Sequence, residues 1–287
     1  MSLTNNRVVV VTGATRGAGK GIALGLAPGA TVYVTGRSRE EGDGPDGLGG
    51  TVFATAAEVD ARGGRGVPVV CDHSDDDAVK ELFSRVERDE GRLDILVNNA
   101  FALPPKLPKK AGFWEQPLNQ LETLDVGLRS NYVAGYYAAA MMARQGEGLI
   151  VFTSAPAGRV YTLGPTFGAA HAGSDKMAHD MAVELKKFNV AVLAIWMGLL
   201  RTERAERAIK ADPDGLGKHF ANAETPEFTG LVIDALARDP QLLERSGKVW
   251  WGSELGAEYG VTDTDGRQPA SNRDWIGPTT EYSDLVL

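Results

Sequence analysis

The chain has 287 residues, 43% of them hydrophobic and 24% charged, with a formal net charge of −8. That is long enough to bury a sizeable core. The acidic balance argues against nucleic acid or a membrane surface as partner, because both call for a basic face.

The N-terminal stretch "MSLTNNRVVVVTG" lacks the basic-then-apolar layout of a secretory signal and runs almost at once into a strand at 7–12. Further strands are predicted at 31–36, 67–72, 93–99, 148–154, 190–196 and 247–252. The earlier ones are nearly continuous in apolar, β-branched residues, as strands buried on both faces are. Residues 38–50, rich in glycine and acid, are expected to be a flexible loop. A helix is predicted over 74–90, with Ser74 as N-cap and Val79, Leu82, Phe83 and Val86 as one apolar stripe. Another spans 167–188, its stripe being Met177, Met181, Leu185 and Phe188. Residues 200–230 suit a substrate lid, and the tail after about 260 is irregular.

Strands alternating with helices imply parallel pairing through right-handed crossovers. The expected fold is therefore α/β: a three-layer, doubly wound Rossmann fold with a seven-stranded parallel sheet. We expect one domain over 1–287, with its core at about 7–260. No run of about 18 apolar residues suggests a membrane span. Cys71 is the single cysteine, so no internal disulfide is possible and a cytoplasmic location is expected.

The first chemical signal is "VVVVTGATRGAGKGIALGL", where a buried strand ends at Thr12-Gly13 and a turn carrying Gly17 and Gly19 leads into a helix. Glycines let the backbone approach a pyrophosphate, and the helix N-terminus offers it unpaired N–H groups. This arrangement resembles the short-chain dehydrogenase/reductase family. So do "LDILVNNA" at 93–100 and "VAVLAIWMGLLRT" at 190–202. The strings "CDHSDDDAVKELFSRVERDEGRLDILVNNA", "FWEQP" and "MAVELKKFNVAVLAIW" resemble in particular the family-member-1 subgroup. The resemblance implies a nicotinamide cofactor held at Gly13, Thr15, Arg16, Gly17, Gly19, Asn98, Asn99, Ala100, Gly198 and Thr202, with Asp72 on the adenine amino group. An acid ending the second strand would select NAD. Here that strand ends at Gly36, Arg37 and Arg39 follow, and Arg16 sits in the glycine loop. Arginine suits a 2′-phosphate, so NADP is expected over NAD, with Glu40 and Glu41 weighing the other way.

The family's catalytic serine, on the fifth strand, precedes its tyrosine by thirteen residues, and a lysine follows four later. Ser154 ends the fifth strand, but the next two positions hold Phe167 and His171. Counting back from "AVEL" (182–185) gives the same frame. Lys176 offers no substitute, because Ala172 lies four before it, and none of the 7 tyrosines has a lysine four residues on. The relay asparagine is expected near Gly127, with Asn131 a turn away; Phe101 and Met197 replace a usual glycine and proline. Phenylalanine cannot transfer a proton, and a positioned acid or base is worth about 10²–10⁴ in rate. The substitutes weighed are His171, which shares a helix face with Phe167, Tyr161 in the loop after Ser154, or a water. No metal site is expected: His179 and His219 show no ligand-like spacing.

Two functions follow. One is an NADP-dependent oxidoreductase with altered or impaired hydride transfer, taking an apolar carbonyl or alcohol near Phe101, Trp114, Tyr161, Phe167 and Trp196. The other is a catalytically inactive protein of the same fold, acting as a cofactor sensor or oligomeric partner. The resemblance adds an expectation of a homodimer or homotetramer.

Overall fold

The computed structural model describes residues 6–44, 47–103, 112–283 and 285. Its elements run β1 (Arg7–Val11), α1 (Gly17–Gly25), β2 (Ala30–Gly36), α2 (Val52–Ala61), β3 (Arg65–Val70), α3 (Asp76–Glu90) and β4 (Ile95–Asn98). A one-turn α4 (Glu122–Leu124) and a kinked turn at Asp125–Arg129 lead into α5 (Ser130–Gln145), β5 (Gly148–Ser154), α6 (Pro165–Leu185) and β6 (Val190–Trp196). Then come α7 (Glu203–Ala211), α8 (Leu216–His219), α9 (Pro226–Ala237), α10 (Leu242–Arg245), β7 (Val249–Trp251), α11 (Gly252–Tyr259) and α12 (Arg273–Ile276).

The strands form one parallel sheet in the order β3-β2-β1-β4-β5-β6-β7, as the doubly wound expectation requires. Because side chains alternate across a strand, β1 feeds two cores. Val9 and Val11 pack with Ile22, Phe228 and Val232 on one face; Val8 and Val10 pack with Leu82, Phe83 and Met142 on the other. The strand order reverses between β1 and β4, and such a switch point opens a crevice at the carboxyl ends of the strands.

Two local readings are corrected. The N-cap of α3 is Asp75, whose carboxylate accepts from Asp77 N and Ala78 N, while Ser74 turns back to bond Asp72. On α6 the buried residues are Ala170, His171, Ser174, Asp175, Ala178, His179, Ala182 and Leu185, and Phe188 is exposed. Small residues let this helix lie close against the sheet, whereas the predicted methionine stripe is only partly covered.

Candidate active site

The glycine loop is closed by side chains from two strand ends. Thr12 Oγ1 accepts from the backbone N–H groups of Asn99 and Ala100, each at 2.9 Å, and Asn99 Nδ2 donates to Thr12 O at 2.8 Å and Gly13 O at 3.1 Å. Gly17 opens α1 at φ +59°, a conformation glycine adopts without penalty. A Cβ on Gly19 would stand 2.3 Å from Gly13 O and 2.4 Å from Asn99 Nδ2, so only hydrogen fits there. Thr15 is buried against Gly36. The exposed N–H of Gly17 already holds an anionic oxygen: it donates to Glu203 Oε2, from the first turn of α7, at 2.9 Å. The loop therefore fits a pyrophosphate, for which Glu203 is a stand-in.

Just past β3, Asp72 accepts from both N and Oγ of Ser74, and Arg37 Nη1 lies 3.8 Å from its other oxygen. Burial alone would raise the Asp72 pKa, but these donors outweigh it and hold the carboxyl below its ordinary value. Arg16 is anchored by Gly49 O at 2.7 Å, Gly50 O at 2.8 Å and Ser38 Oγ at 2.7 Å. Its guanidinium thus ties Ser38, just after β2, to Gly49 and Gly50. On the other side, Thr202 caps α7, and Gly198 N donates to Glu224 Oε2 at 3.2 Å. Burial pushes the Glu224 carboxyl up to about 7, the Gly198 bond opposing and Asp263 reinforcing the rise. Glu224 gave no signal in the sequence, since it lies among polar lid residues. Residues 200–230, expected to suit a lid, form α7, α8 and the start of α9.

The reacting end is organised around Ser154. Its Oγ lies 3.4 Å from His171 Nδ1, a long contact, and it is wholly buried. His171, Phe167 and Phe101 form a ring cluster: Phe101 stacks on His171 at 5.0 Å between centroids, and Phe167 meets both rings edge-on at 4.5 and 5.5 Å. Burial pushes the His171 pKa down to about 4, so the ring is neutral at pH 7. Tyr161 is 85% exposed and stands in solvent. Asn131 is buried, its Nδ2 donating to Gly127 O at 2.8 Å and its backbone carbonyl accepting from Asn98 Nδ2 at 3.2 Å. Asn98 Oδ1 is left buried without a partner.

Trp196, expected beside the substrate, is fully buried and packs edge-on against Trp251. Its indole N–H donates at 2.9 Å to Asp175 Oδ2. Asp175 was missed in the sequence, although the helical period places it one turn after His171 on the same face. Trp114 is exposed. A serine, a histidine and an aspartate thus meet, but in the wrong order for a nucleophile triad. There a carboxylate orients the histidine that deprotonates the serine; here no hydrogen bond joins His171 to Asp175, and Ser154 stands between them. Among the described residues no group of three His, Cys, Asp or Glu could hold a metal ion, and no helix is long and apolar enough to cross a membrane.

The family model for short chain dehydrogenases matches residues 7–213. Dehydrogenase/reductase SDR family member 1 of Mus musculus is 41% identical over 273 residues, covering 91% of this chain and 84% of the relative. The protein of the same name from Homo sapiens is 40% identical over 275 residues, covering 92% and 85%. Among solved structures, a short-chain type dehydrogenase/reductase from Mycobacterium marinum has a TM-score of 0.71 at 22% identity, covering 87% of this chain and 95% of that one. L-sorbose reductase from Gluconobacter frateurii, solved with NADPH and L-sorbose, has 0.71 at 20% identity, covering 86% and 95%. Likeness at these identities extends to the fold alone.

Proposed function

The chain belongs to the short-chain dehydrogenase/reductase family of oxidoreductases, and from that premise we propose that it binds NADP and interconverts a carbonyl and an alcohol with a proton donor other than the family's tyrosine. The observation that carries this reading is the closed glycine loop with a carboxylate oxygen already on Gly17 N–H. When bound, the nicotinamide supplies or takes up the hydride. The chain's own residues do the rest. Gly13, Gly17 and Gly19 give the pyrophosphate its backbone approach, while Asp72 faces the adenine. Asn98, Asn99, Ala100, Gly198 and Thr202 border the path toward the reacting end. Arg16 and Arg37, with no acid at the end of β2, favour a 2′-phosphate over a free ribose hydroxyl. Ser154 orients the substrate oxygen by its hydroxyl, and the rings of Phe101, Phe167 and His171 favour an apolar substrate. Assembly as a homodimer or homotetramer in the cytoplasm belongs to the same proposal.

One observation favours a second reading, a cofactor sensor without turnover: the ring cluster fills the position from which the tyrosine would act. Titration of the purified protein with NADPH and NADH, read by nicotinamide fluorescence and tryptophan quenching, separates the cases. NADPH is expected to bind about tenfold more tightly than NADH, from one charge-assisted pair. Reduction of trifluoroacetophenone that falls in Ser154→Ala supports the enzyme; binding without turnover supports the sensor. Failure of the folded protein to bind either cofactor refutes both.

A further inference from the structure

Ser154 and Trp196 are register partners at the ends of β5 and β6, and both meet α6 at one residue. Asp175 lies there, 1% exposed, with Oδ2 held by the Trp196 indole at 2.9 Å. Oδ1 has no partner of proper hydrogen-bond geometry, although the Ser154 hydroxyl lies close enough to favour the charged carboxylate. A buried carboxyl without a cation is costly to ionise. Among the described residues no lysine or arginine is placed to neutralise it. From α6 come His171 and His179, the latter's ring nitrogens facing Gly247 O and Ser283 O; β5 and β6 bring only Ser154 and Trp196. The C-terminal tail brings Tyr282, and Lys176 is taken by Asp180.

We infer that Asp175 is the proton store behind Ser154, a positioning residue that replaces the missing tyrosine by refilling the serine as the serine protonates the substrate oxygen. The inference rests on the reductase reading above. The step balances. Hydride delivery from the reduced nicotinamide leaves the substrate oxygen negative; that oxygen takes the Ser154 hydroxyl proton, and the Oγ–H bond re-forms with the proton of Asp175. The products are the alcohol and an Asp175 carboxylate, which regains its proton from solvent by way of the Ser154 hydroxyl once the alcohol has left. Serine alone is too weak an acid for the task, and a serine backed by a neutral carboxyl need never carry a full negative charge. Burial pushes the Asp175 pKa up to about 7, against the nearby Ser154 hydroxyl and the Trp196 hydrogen bond, so the store is filled at and below neutral pH.

The test has a readout independent of turnover. With ¹⁵N-indole labelling, and Trp196→Phe to assign the signal among 5 tryptophans, the Trp196 N–H shift is followed from pH 5 to 9. An inflection near 7 is expected, moving upward in Ser154→Ala, which removes a donor to the carboxylate, and vanishing in Asp175→Asn. The second readout is NADPH-dependent reduction of trifluoroacetophenone. Wild type should lose rate above about pH 7. Asp175→Asn, which keeps the shape and an acceptor for Trp196, should lower kcat by about tenfold or more with KM little changed and remove that pH limb. Asp175→Glu should restore part of both. A flat Trp196 titration, or an Asp175→Asn enzyme with wild-type kcat and pH profile, overturns the inference. An inflection in a protein that binds neither NADPH nor NADH removes the reductase reading and the delivery role together; turnover that ignores Asp175 removes the delivery role alone.

Discussion

Replacing Gly19 by alanine puts one methyl group where the structure has room for a hydrogen. The new Cβ would lie 2.3 Å from Gly13 O and 2.4 Å from Asn99 Nδ2, about an ångström inside ordinary contact. Neither neighbour can yield alone, because Asn99 Nδ2 is itself bonded to Thr12 O and Gly13 O. Overpacking of this kind costs about 1–3 kcal/mol. If the loop stays closed, the cost appears as lost stability. If it relaxes outward in the free protein, the cost appears on binding, as a five- to 150-fold weaker Kd by the usual tenfold per 1.4 kcal/mol, about. Denaturant unfolding and NADPH titration on the same preparation should therefore show losses that sum to that range. Gly29→Ala is the control: nothing lies within 4 Å of its Cβ, though φ is +67°. It should lose about 1 kcal/mol of stability and no NADPH affinity. A Gly19→Ala protein with unchanged midpoint and unchanged Kd would refute the packing argument.

Glu203→Gln should tighten NADPH binding by about tenfold, because the Gly17 N–H then loses its charged competitor; isothermal titration in low salt measures it, and equal affinity would show that the carboxylate leaves at no cost. Phe167→Tyr with His171→Lys should raise trifluoroacetophenone reduction by about a hundredfold or more, the worth of a positioned acid. A folded, NADPH-bound double variant with no gain would mean that the ring cluster is not the only obstacle. For stability, the folded pKa of Asp175 is raised, so its contribution is full below the ordinary aspartate pKa and is lost as pH rises toward about 7. Asp175→Asn should therefore gain stability relative to wild type between pH 4 and 8, in denaturant melts at each pH. His171 runs the opposite way: its lowered pKa makes its contribution full above the ordinary histidine value and lost as pH falls toward about 4. His171→Gln should reduce the loss of stability between pH 6.5 and 4.

What the sequence by itself determined was whatever is written locally. Continuous β-branched runs such as Val8–Val11 mark strands covered on both faces, and their alternation with helices leaves few topologies. The glycine loop was legible because its spacing is short, and the missing tyrosine and lysine because they lie at fixed steps from Ser154. The tertiary structure decided the partners. Asp175 and Lys176 are adjacent polar residues on one helix, yet one is buried against Trp196 and Ser154 and the other pairs with Asp180 in solvent. Composition does not distinguish them; the rotation of α6 against the β5–β6 register does. Likewise Asn131, Glu203 and Glu224 acquire their roles from chain segments distant in sequence. Burial and charge pairing are properties of contacts between such segments, and a local pattern carries no record of them.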